Sequence, residues 1–271
     1  MCSTCGCSDG ADVHLIDPAH EHGHDHGHDH GHDHHHDHDG HAHTPEGTRT
    51  IRLEQDVLAK NNLLAERNRG WFDGREIFAL NLMSSPGAGK TTLLERTLRD
   101  LSAELEISVI EGDQETARDA ERIRKTGCKV VQINTGSGCH LDAQMIADAT
   151  RALNPPPRSI VMIENVGNLV CPALFDLGEA AKVVIASTTE GEDKPLKYPH
   201  MFRAANLMIL NKIDLLAHLS FDVDRCVEFA RRINPKLEIL QVSAQSGDGL
   251  EAWYRWLHDS IGQRAAASVE G

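Results

Sequence analysis

Residues 84–91 contain the small residues, the lysine and the threonine that a phosphate-binding loop requires, in the order Ser-Ser-Pro-Gly-Ala-Gly-Lys-Thr. Small residues let successive backbone N–H groups surround phosphate oxygens, and a helix that starts here adds positive potential. The ammonium of Lys90 can reach the β and γ phosphates, and the hydroxyl of Thr91 can bind Mg²⁺. Ser84 stands where the pattern has its first glycine, which is a modest departure. We predict that the phosphates are bound by Gly87, Ala88, Gly89, Lys90, Thr91 and Thr92.

A second motif, Asn-Lys-Ile-Asp at residues 211–214, follows an apolar run and indicates which base is bound. The carboxylate of Asp214 can accept two hydrogen bonds from the N1–H and 2-amino groups of guanine, which adenine does not offer. The alternative is a polar turn in which Asp214 caps a helix. We assign the base pocket to Asn211, Lys212, Asp214, Ser243 and Ala244.

Two carboxylates are expected at strand ends, where a sheet of alternating strands and helices collects its ligand. Asp113 follows an apolar run at 107–110, and Glu164 follows another at 159–163. Glu164 begins a Glu-Asn-Val-Gly segment that resembles an Asp-x-x-Gly switch with a longer carboxylate arm. We predict that both carboxylates approach Mg²⁺ and the γ-phosphate, so that Lys90, Asp113 and Glu164 are the catalytic residues. Asp113 has the alternative of capping the helix that follows it.

Two cysteines and a histidine stand in loops beside these motifs. Cys139 and His140 precede a helix predicted at 141–153, and Cys171 lies four residues after Gly167 of the switch-like segment. A thiol at a helix N-terminus is a ready metal ligand. Three soft or borderline ligands leave a tetrahedral site incomplete, so it can admit water, a transfer partner or a second subunit. Judged from local sequence alone, the alternative is that these side chains are merely buried.

The first fifty residues hold a second group of metal-binding side chains. Cys2, Cys5 and Cys7 can place three thiolates around one ion, whereas a redox role would need a folded βαβ context. Fourteen of the eighteen histidines lie between His14 and His43, a tract without fixed geometry that suits metal storage. Interspersed Asp and Gly distinguish this tract from a purification tag. Typical metal-binding positions in the tract are His22, His24, His26, His28, His30, His32 and His34.

Composition divides the chain near residue 50. Residues 1–50 carry ten Asp or Glu and one Arg, so −9 of the total charge of −14 lies there and −5 lies in the other 221 residues. We predict that residues 1–49 form a disordered metal-binding extension and that residues 50–271 form one GTPase domain. No basic patch argues for nucleic acid, and no apolar run reaches the ~18 residues of a membrane span. An odd number of cysteines and no secretion signal predict a cytoplasmic protein.

Alternating strands and helices must position these motifs. Apolar runs predict strands at 77–83, 107–110, 129–133, 159–163, 182–186, 207–210 and 237–242. Helical patterns predict helices at 91–105, 117–124, 141–153, 223–233 and 250–261, with a leading helix at 49–67 that ends near Gly70. Continuous apolar strands that alternate with helices indicate an α/β fold whose mostly parallel sheet is covered on both faces.

Together these motifs resemble the HypB family of hydrogenase nickel-incorporation GTPases. The resemblance covers about residues 50–262 and includes the loop at 84–92, Gly-Cys-His-Leu-Asp-Ala at 138–143, Asn-Leu-Val-Cys-Pro at 168–172 and the motif at 211–214. Cys-His in one loop with Asn-Leu-Val-Cys-Pro in the next is specific to this group. The resemblance implies a SIMIBI-type P-loop NTPase fold and GTP hydrolysis that supports nickel insertion into [NiFe] hydrogenase.

The same resemblance implies cofactors and partners. GTP, Mg²⁺ and Ni²⁺ are expected, with Zn²⁺ as an alternative ion at Cys139, His140 and Cys171. The expected partners are a second copy of the chain in a GTP- and metal-dependent homodimer, a HypA-type accessory protein, a prolyl-isomerase-type nickel donor and, through accessory proteins, the hydrogenase large subunit.

Two other functions share parts of this pattern. A urease-accessory nickel GTPase would have a similar fold and a His-rich start, but we expect it to carry Cys-Pro-His where this chain has Cys139-His140. A nickel or zinc storage protein could use its nucleotide domain only to control assembly. Metal transfer that depends on GTP turnover would separate delivery from storage.

Overall fold

The computed structural model describes residues 46–113, 118–136 and 138–267. The predicted ligands Cys2, Cys5 and Cys7 and the predicted histidine tract lie outside the described residues. Within the described ranges, strands alternate with helices along the chain as the sequence predicts. None of the helices in these ranges has both the length and the apolar character that crossing a membrane requires.

The described residues form a seven-stranded sheet in which all neighbouring strands are parallel. The strands are β1 (Phe78–Ser84), β2 (Ile107–Asp113), β3 (Lys129–Asn134), β4 (Ile160–Glu164), β5 (Ala181–Ser187), β6 (Leu207–Asn211) and β7 (Glu238–Gln241). Their spatial order is β3-β2-β4-β1-β5-β6-β7, so β1 lies between β4 and β5. The predicted fold class is confirmed, and the loops that follow the strands meet at one edge of the sheet.

Helices cover both faces of this sheet. They are α1 (Glu46–Asp73), α2 (Lys90–Leu101), α3 (Arg118–Arg124), α4 (Ala143–Leu153), α5 (Lys194–Lys197), α6 (Pro199–Ala204), α7 (Val223–Ile233) and α8 (Leu250–Ala267). On one face α2 and α8 bury Leu94, Leu98 and Trp253. On the other face α1 and α4 bury Phe72 and Ile146, and α6 and α7 form a further cluster. Burial on both faces explains why the central strands β4, β1, β5 and β6 consist largely of apolar residues.

Helix α1 extends further than its sequence pattern predicts. It begins at Glu46, continues through Gly70 and ends at Asp73, three residues beyond the glycine near which the sequence predicts its end. Phe72 is 1% exposed and packs in the same cluster as residues of α4 and the sheet. Burying this ring contributes more than the ~1 kcal/mol that a glycine costs inside a helix.

Helix α4 begins two residues later than predicted, at Ala143. Asp142 is its N-cap, because the carboxylate Oδ1 accepts a hydrogen bond from the Met145 N–H at 2.8 Å. Cys139 therefore lies four residues before the first helical residue and not in the first turn. Leu141, between Cys139 and the cap, is fully buried, so this short segment has tertiary contacts of its own.

Several short elements were not predicted. They are α5, α6 and two 3₁₀ turns at Cys171–Ala173 and Ile213–His218. Segments of three to six residues are too short to show an apolar period. The two 3₁₀ turns carry Cys171 and Asp214, so they matter for the site.

Candidate functional site

The backbone of the phosphate loop is hydrogen-bonded to the motif that follows β6. Gly87 and Gly89 have φ angles of 78° and 94°, a left-handed conformation that favours glycine. A Cβ atom at Gly89 would collide with the side-chain amide of Asn211. The Asn211 Nδ2 donates to the Ala88 carbonyl at 2.9 Å, and the Lys212 Nζ donates to the Gly87 carbonyl at 2.7 Å. The predicted base motif and the predicted phosphate loop therefore form one unit.

Glu164 holds the two side chains that we expect to bind phosphate and Mg²⁺. Its Oε1 accepts hydrogen bonds from Lys90 Nζ at 2.8 Å and from Thr91 Oγ1 at 2.6 Å. The residue is 2% exposed, and its Oε2 has no hydrogen-bond partner among the residues that the structure describes. A buried carboxylate oxygen without a partner is costly, so this atom favours a cation nearby. The Thr91 hydroxyl and the Glu164 carboxylate thus fit the oxygen ligands of Mg²⁺.

A cleft of about 530 Å³ opens above the phosphate loop. Asp113 at the end of β2 and Glu164 at the end of β4 line it together with Lys90 and Thr91. The structure therefore brings the three predicted catalytic residues to one cavity. Phosphate-binding groups and carboxylates that face one polar cleft are suited to phosphoryl transfer.

Arg122 in α3 also lines the cleft, and sequence reasoning missed it. Its guanidinium forms an ion pair with Glu95 at 2.7 Å, and its Nη2 lies 3.5 Å from Thr92 Oγ1. The sequence feature that could have indicated this residue is a positively charged side chain in the helix that follows β2. That helix starts from the same sheet edge as the phosphate loop.

The segment after β5 contacts the phosphate loop as well. The Ser85 hydroxyl donates to the Glu190 carboxylate, which also accepts from the Ser187 N–H at 3.1 Å and pairs with Lys194 at 2.8 Å. This contact was not predicted. The sequence feature that could have indicated it is the polar segment that follows the central strand β5. Glu190 therefore fixes the position of the loop from the side opposite β4.

The predicted base pocket is partly assembled around Asn211. The Asn211 Oδ1 accepts a hydrogen bond from the Ala244 N–H at 3.1 Å, which links β6 to the segment after β7. Ser243 and Ala244 are buried, whereas Asp214 is exposed in its 3₁₀ turn. Because it is exposed, the Asp214 carboxylate is accessible to the hydrogen-bonding edge of a base.

Cys139, His140 and Cys171 come together as the sequence suggests. Cys139 Sγ lies 3.1 Å from Cys171 Sγ and 3.5 Å from His140 Nδ1, and the three ligand atoms lie within 4.8 Å of one another. Ligand distances of about 2.0–2.3 Å for zinc allow a single ion to contact all three atoms. We therefore treat these residues as a candidate metal centre.

The surroundings of His140 favour its neutral, metal-binding form. The ring is 8% exposed and stacks on Phe175, with centroids 3.9 Å apart. Burial lowers the pKa of His140 below its ordinary value, and the nearby Asp142 carboxylate opposes this shift. By contrast, burial raises the pKa of Cys128 and of Cys226 to about 12, which keeps these two thiols protonated.

Two contacts connect the candidate metal centre to the strand ends that line the cleft above the phosphate loop. The Asn165 Oδ1, one residue after Glu164, accepts a hydrogen bond from the Leu141 N–H at 3.3 Å. The Leu141 side chain lies against Gly112, where a Cβ atom would be only 2.8 Å from the leucine. Gly112 precedes Asp113, so Leu141 contacts β2 next to Asp113 and also the residue that follows Glu164 at the end of β4.

Comparison with known proteins gives consistent matches. A family model described as the CobW/HypB/UreG nucleotide-binding domain matches residues 78–241. The chain is 60% identical over 220 residues to hydrogenase maturation factor HypB of Rhizobium leguminosarum bv. viciae, covering 81% of this chain and 74% of that protein. It is 49% identical over 284 residues to HypB of Escherichia coli strain K12, covering 95% and 98%.

Two solved structures have the same architecture. The crystal structure of HypB from Helicobacter pylori in complex with nickel aligns with a TM-score of 0.71 and 38% identity, covering 75% of this chain and 96% of that one. HypB from Archaeoglobus fulgidus aligns with a TM-score of 0.70 and 39% identity, covering 75% and 99%. Identity at this level over nearly the whole of each solved chain indicates common descent.

Proposed function

The chain belongs to the HypB family of hydrogenase maturation factors, and on this premise we propose that it is a GTPase that controls nickel delivery to [NiFe] hydrogenase. The hydrogen bond between the Leu141 N–H and Asn165 Oδ1 is the observation that carries the proposal. It joins the segment of Cys139 and His140 to the residue that follows Glu164. A change at the phosphate cleft can therefore move a metal ligand.

GTP is the proposed nucleotide. The Asp214 carboxylate is exposed beside the loop that Asn211 and Lys212 brace. Two acceptor oxygens match the donor edge of guanine and not that of adenine. Selectivity for guanine follows from this pairing.

We assign hydrolysis to the cleft above the phosphate loop. Water attacks the γ-phosphorus, the bond to the β–γ bridging oxygen breaks, and GDP and inorganic phosphate leave. Lys90 neutralises charge on the transferred phosphoryl group, and Asp113 and Glu164 are the carboxylates that can orient the water. Bound Mg²⁺, held by Thr91 with these carboxylates, would add positive charge at the phosphates.

Nickel is the proposed cargo of Cys139, His140 and Cys171. Two thiolates and one imidazole suit Ni²⁺, and they also suit Zn²⁺. Three ligands leave a coordination position open, which lets a partner or a second copy of the chain complete the site in a homodimer. An incomplete site favours transfer over permanent storage.

The N-terminal segment has a separate proposed role. The histidines between His14 and His43 would store nickel, and Cys2, Cys5 and Cys7 would form a small, tighter site. A HypA-type accessory protein and, through it, the hydrogenase large subunit are the proposed recipients in the cytoplasm. We also propose that residues 1–49 and 50–271 act as two functional regions.

Complementation of a strain that lacks the gene tests this function. The wild type should restore hydrogenase activity at limiting nickel, whereas Lys90→Ala, Cys139→Ala and Cys171→Ala should fail there and recover with excess nickel. Cys128→Ala, which changes a cysteine outside both sites, is the control and should behave like the wild type. Full activity of Lys90→Ala at limiting nickel would favour storage without GTP-dependent delivery.

A further inference from the structure

Helix α1 contacts the start of α4 and the loop that follows Cys171, and both contacts are close in sequence to the candidate metal ligands. Asn61 and Asn68 lie seven residues apart on one face of this helix and are 5% and 7% exposed. Buried asparagines inside a helix must find hydrogen-bond partners, and these two find them on other segments of the chain. Their partners determine which segments α1 holds together.

The two asparagines bridge the first residue of α4 and the loop that follows Cys171. The Asn61 Oδ1 accepts from the Ala143 N–H at 2.9 Å, and its Nδ2 donates to the Asp176 carbonyl at 2.7 Å. The Asn68 Nδ2 donates to the Ala143 carbonyl at 2.7 Å and to the Leu177 carbonyl at 3.0 Å. Both backbone groups of Ala143 are thus fixed to α1, and so are two consecutive carbonyls of the loop that follows Cys171.

These bridged positions are close to the metal ligands along the chain. Ala143 comes three residues after His140, and Asp176 comes five residues after Cys171. Phe175, which stacks on the His140 ring, directly precedes Asp176. The contacts with α1 therefore restrain the separation between the Cys139 segment and the Cys171 segment.

A close approach reinforces this arrangement. Gly178 has a φ of 87°, and a Cβ atom there would lie 2.5 Å from the Ala65 carbonyl of α1. Arg69 donates to the Glu179 carbonyl at 2.8 Å and to the Asp176 carboxylate at 2.5 Å. Helix α1 is therefore fitted to the loop of Cys171 over two turns of the helix.

We propose that Asn61 and Asn68 are positioning residues that set the nickel affinity of the site formed by Cys139, His140 and Cys171. This inference rests on the proposed nickel site. Loss of either amide lets the two loops separate, so one ion can no longer be held by all three ligands with the same strength. A purely structural role would lower stability but leave the nickel affinity of the folded protein unchanged.

The test uses the full chain with Cys2, Cys5 and Cys7 changed to serine. Thiolate-to-nickel charge-transfer absorption then reports on Cys139 and Cys171, and histidines of the tract do not contribute to it. Free nickel is set by chelator buffers. Asn61→Ala and Asn68→Ala should each weaken nickel binding by about tenfold or more, while Asn62→Ala, an exposed neighbour on α1, should bind as the parent does.

Binding of GDP by each variant confirms that it is folded. If Asn61→Ala fails this check, Asn61→Asp replaces it; this variant keeps an acceptor for the Ala143 N–H but puts a carboxylate oxygen where the donor to the Asp176 carbonyl was. Unchanged nickel affinity in folded Asn61 and Asn68 variants would overturn the inference. A parent absorption that survives Cys139→Ala with Cys171→Ala would instead refute the nickel site itself.

Discussion

At the scale of single residues, Glu164 lies between the proposed nucleotide site and the candidate metal centre. Its carboxylate holds Lys90 and Thr91, which are the groups that a nucleotide with Mg²⁺ would recruit. We expect nucleotide binding to exchange these contacts, so that the position of Glu164 would depend on the nucleotide. The next residue, Asn165, accepts the hydrogen bond from Leu141, beside the proposed metal ligand His140.

Asp214→Asn tests the proposed base recognition. The asparagine side chain has an NH₂ donor where one of the two guanine N–H donors needs an acceptor. We therefore expect GTP affinity to fall by at least about tenfold. Affinity for xanthosine triphosphate, whose 2-oxo group needs a donor, should rise. Titration with both nucleotides measures the change.

Asp224→Asn, which alters an exposed carboxylate of α7, is the matched control and should keep the wild-type preference. Wild-type GTP affinity in Asp214→Asn would contradict the assignment of the base pocket.

The residues that were predictable at this scale are those in local motifs. Cys139 and Cys171 are 32 positions apart, but both follow strand ends, so their proximity could be inferred from a parallel sheet. Asn61 and Glu190 could not be found in this way. Their partners, Asp176 and Ser85, are 115 and 105 positions away, and no local pattern records such pairings.

At the scale of elements, the central strands were predictable because they are buried on both faces. Strand β1, for example, is buried along its whole length, and apolar residues dominate it. Of its two polar residues, Asn81 is fully buried and hydrogen-bonds to Asn165 and Glu179. The end of α1 was not predictable, because the burial of Phe72 decides it and depends on α4 and the sheet.

Gly178→Ala tests how tightly α1 fits the loop of Cys171. The new methyl group would meet the Ala65 carbonyl in addition to straining a positive φ. We expect the free energy of unfolding to fall by about 2–4 kcal/mol, combining a strained backbone with overpacking. Urea denaturation measures this change.

Gly127→Ala supplies the control, because Gly127 has a similar φ of 82° but nothing within 4 Å of its added Cβ. The free energy of unfolding of Gly127→Ala should fall by about 1–2 kcal/mol, which reflects backbone strain alone. Equal losses in both variants would argue against a close contact between α1 and the loop.

At the scale of the whole molecule, the two proposed metal-binding regions differ in the number and spacing of their ligands. The candidate centre of Cys139, His140 and Cys171 is built from fixed loops, whereas the tract between His14 and His43 offers many equivalent ligands. Fixed ligands favour controlled transfer, and many equivalent ligands favour capacity. The composition of the tract predicts the second property without any reference to the fold.

Deletion of residues 14–43 should remove most of the nickel bound at saturation, because it removes fourteen histidines. GTP hydrolysis should stay at the wild-type rate, since the proposed nucleotide site draws its residues from 84–244. Equilibrium dialysis and phosphate release measure the two properties. A linker of glycine and serine with the same length is the control for chain length, and an unchanged nickel capacity would contradict the storage role.

The central claim is that the nucleotide cleft and the inner metal site are coupled. Nickel affinity measured by thiolate-to-nickel absorption, in the full chain with Cys2, Cys5 and Cys7 changed to serine, tests it with GDP and with a non-hydrolysable GTP analogue. We predict tighter binding with the analogue by about fivefold or more, the usual scale of coupling between sites, and an equal effect of nickel on nucleotide affinity. Identical nickel affinities in the two nucleotide states would contradict the account.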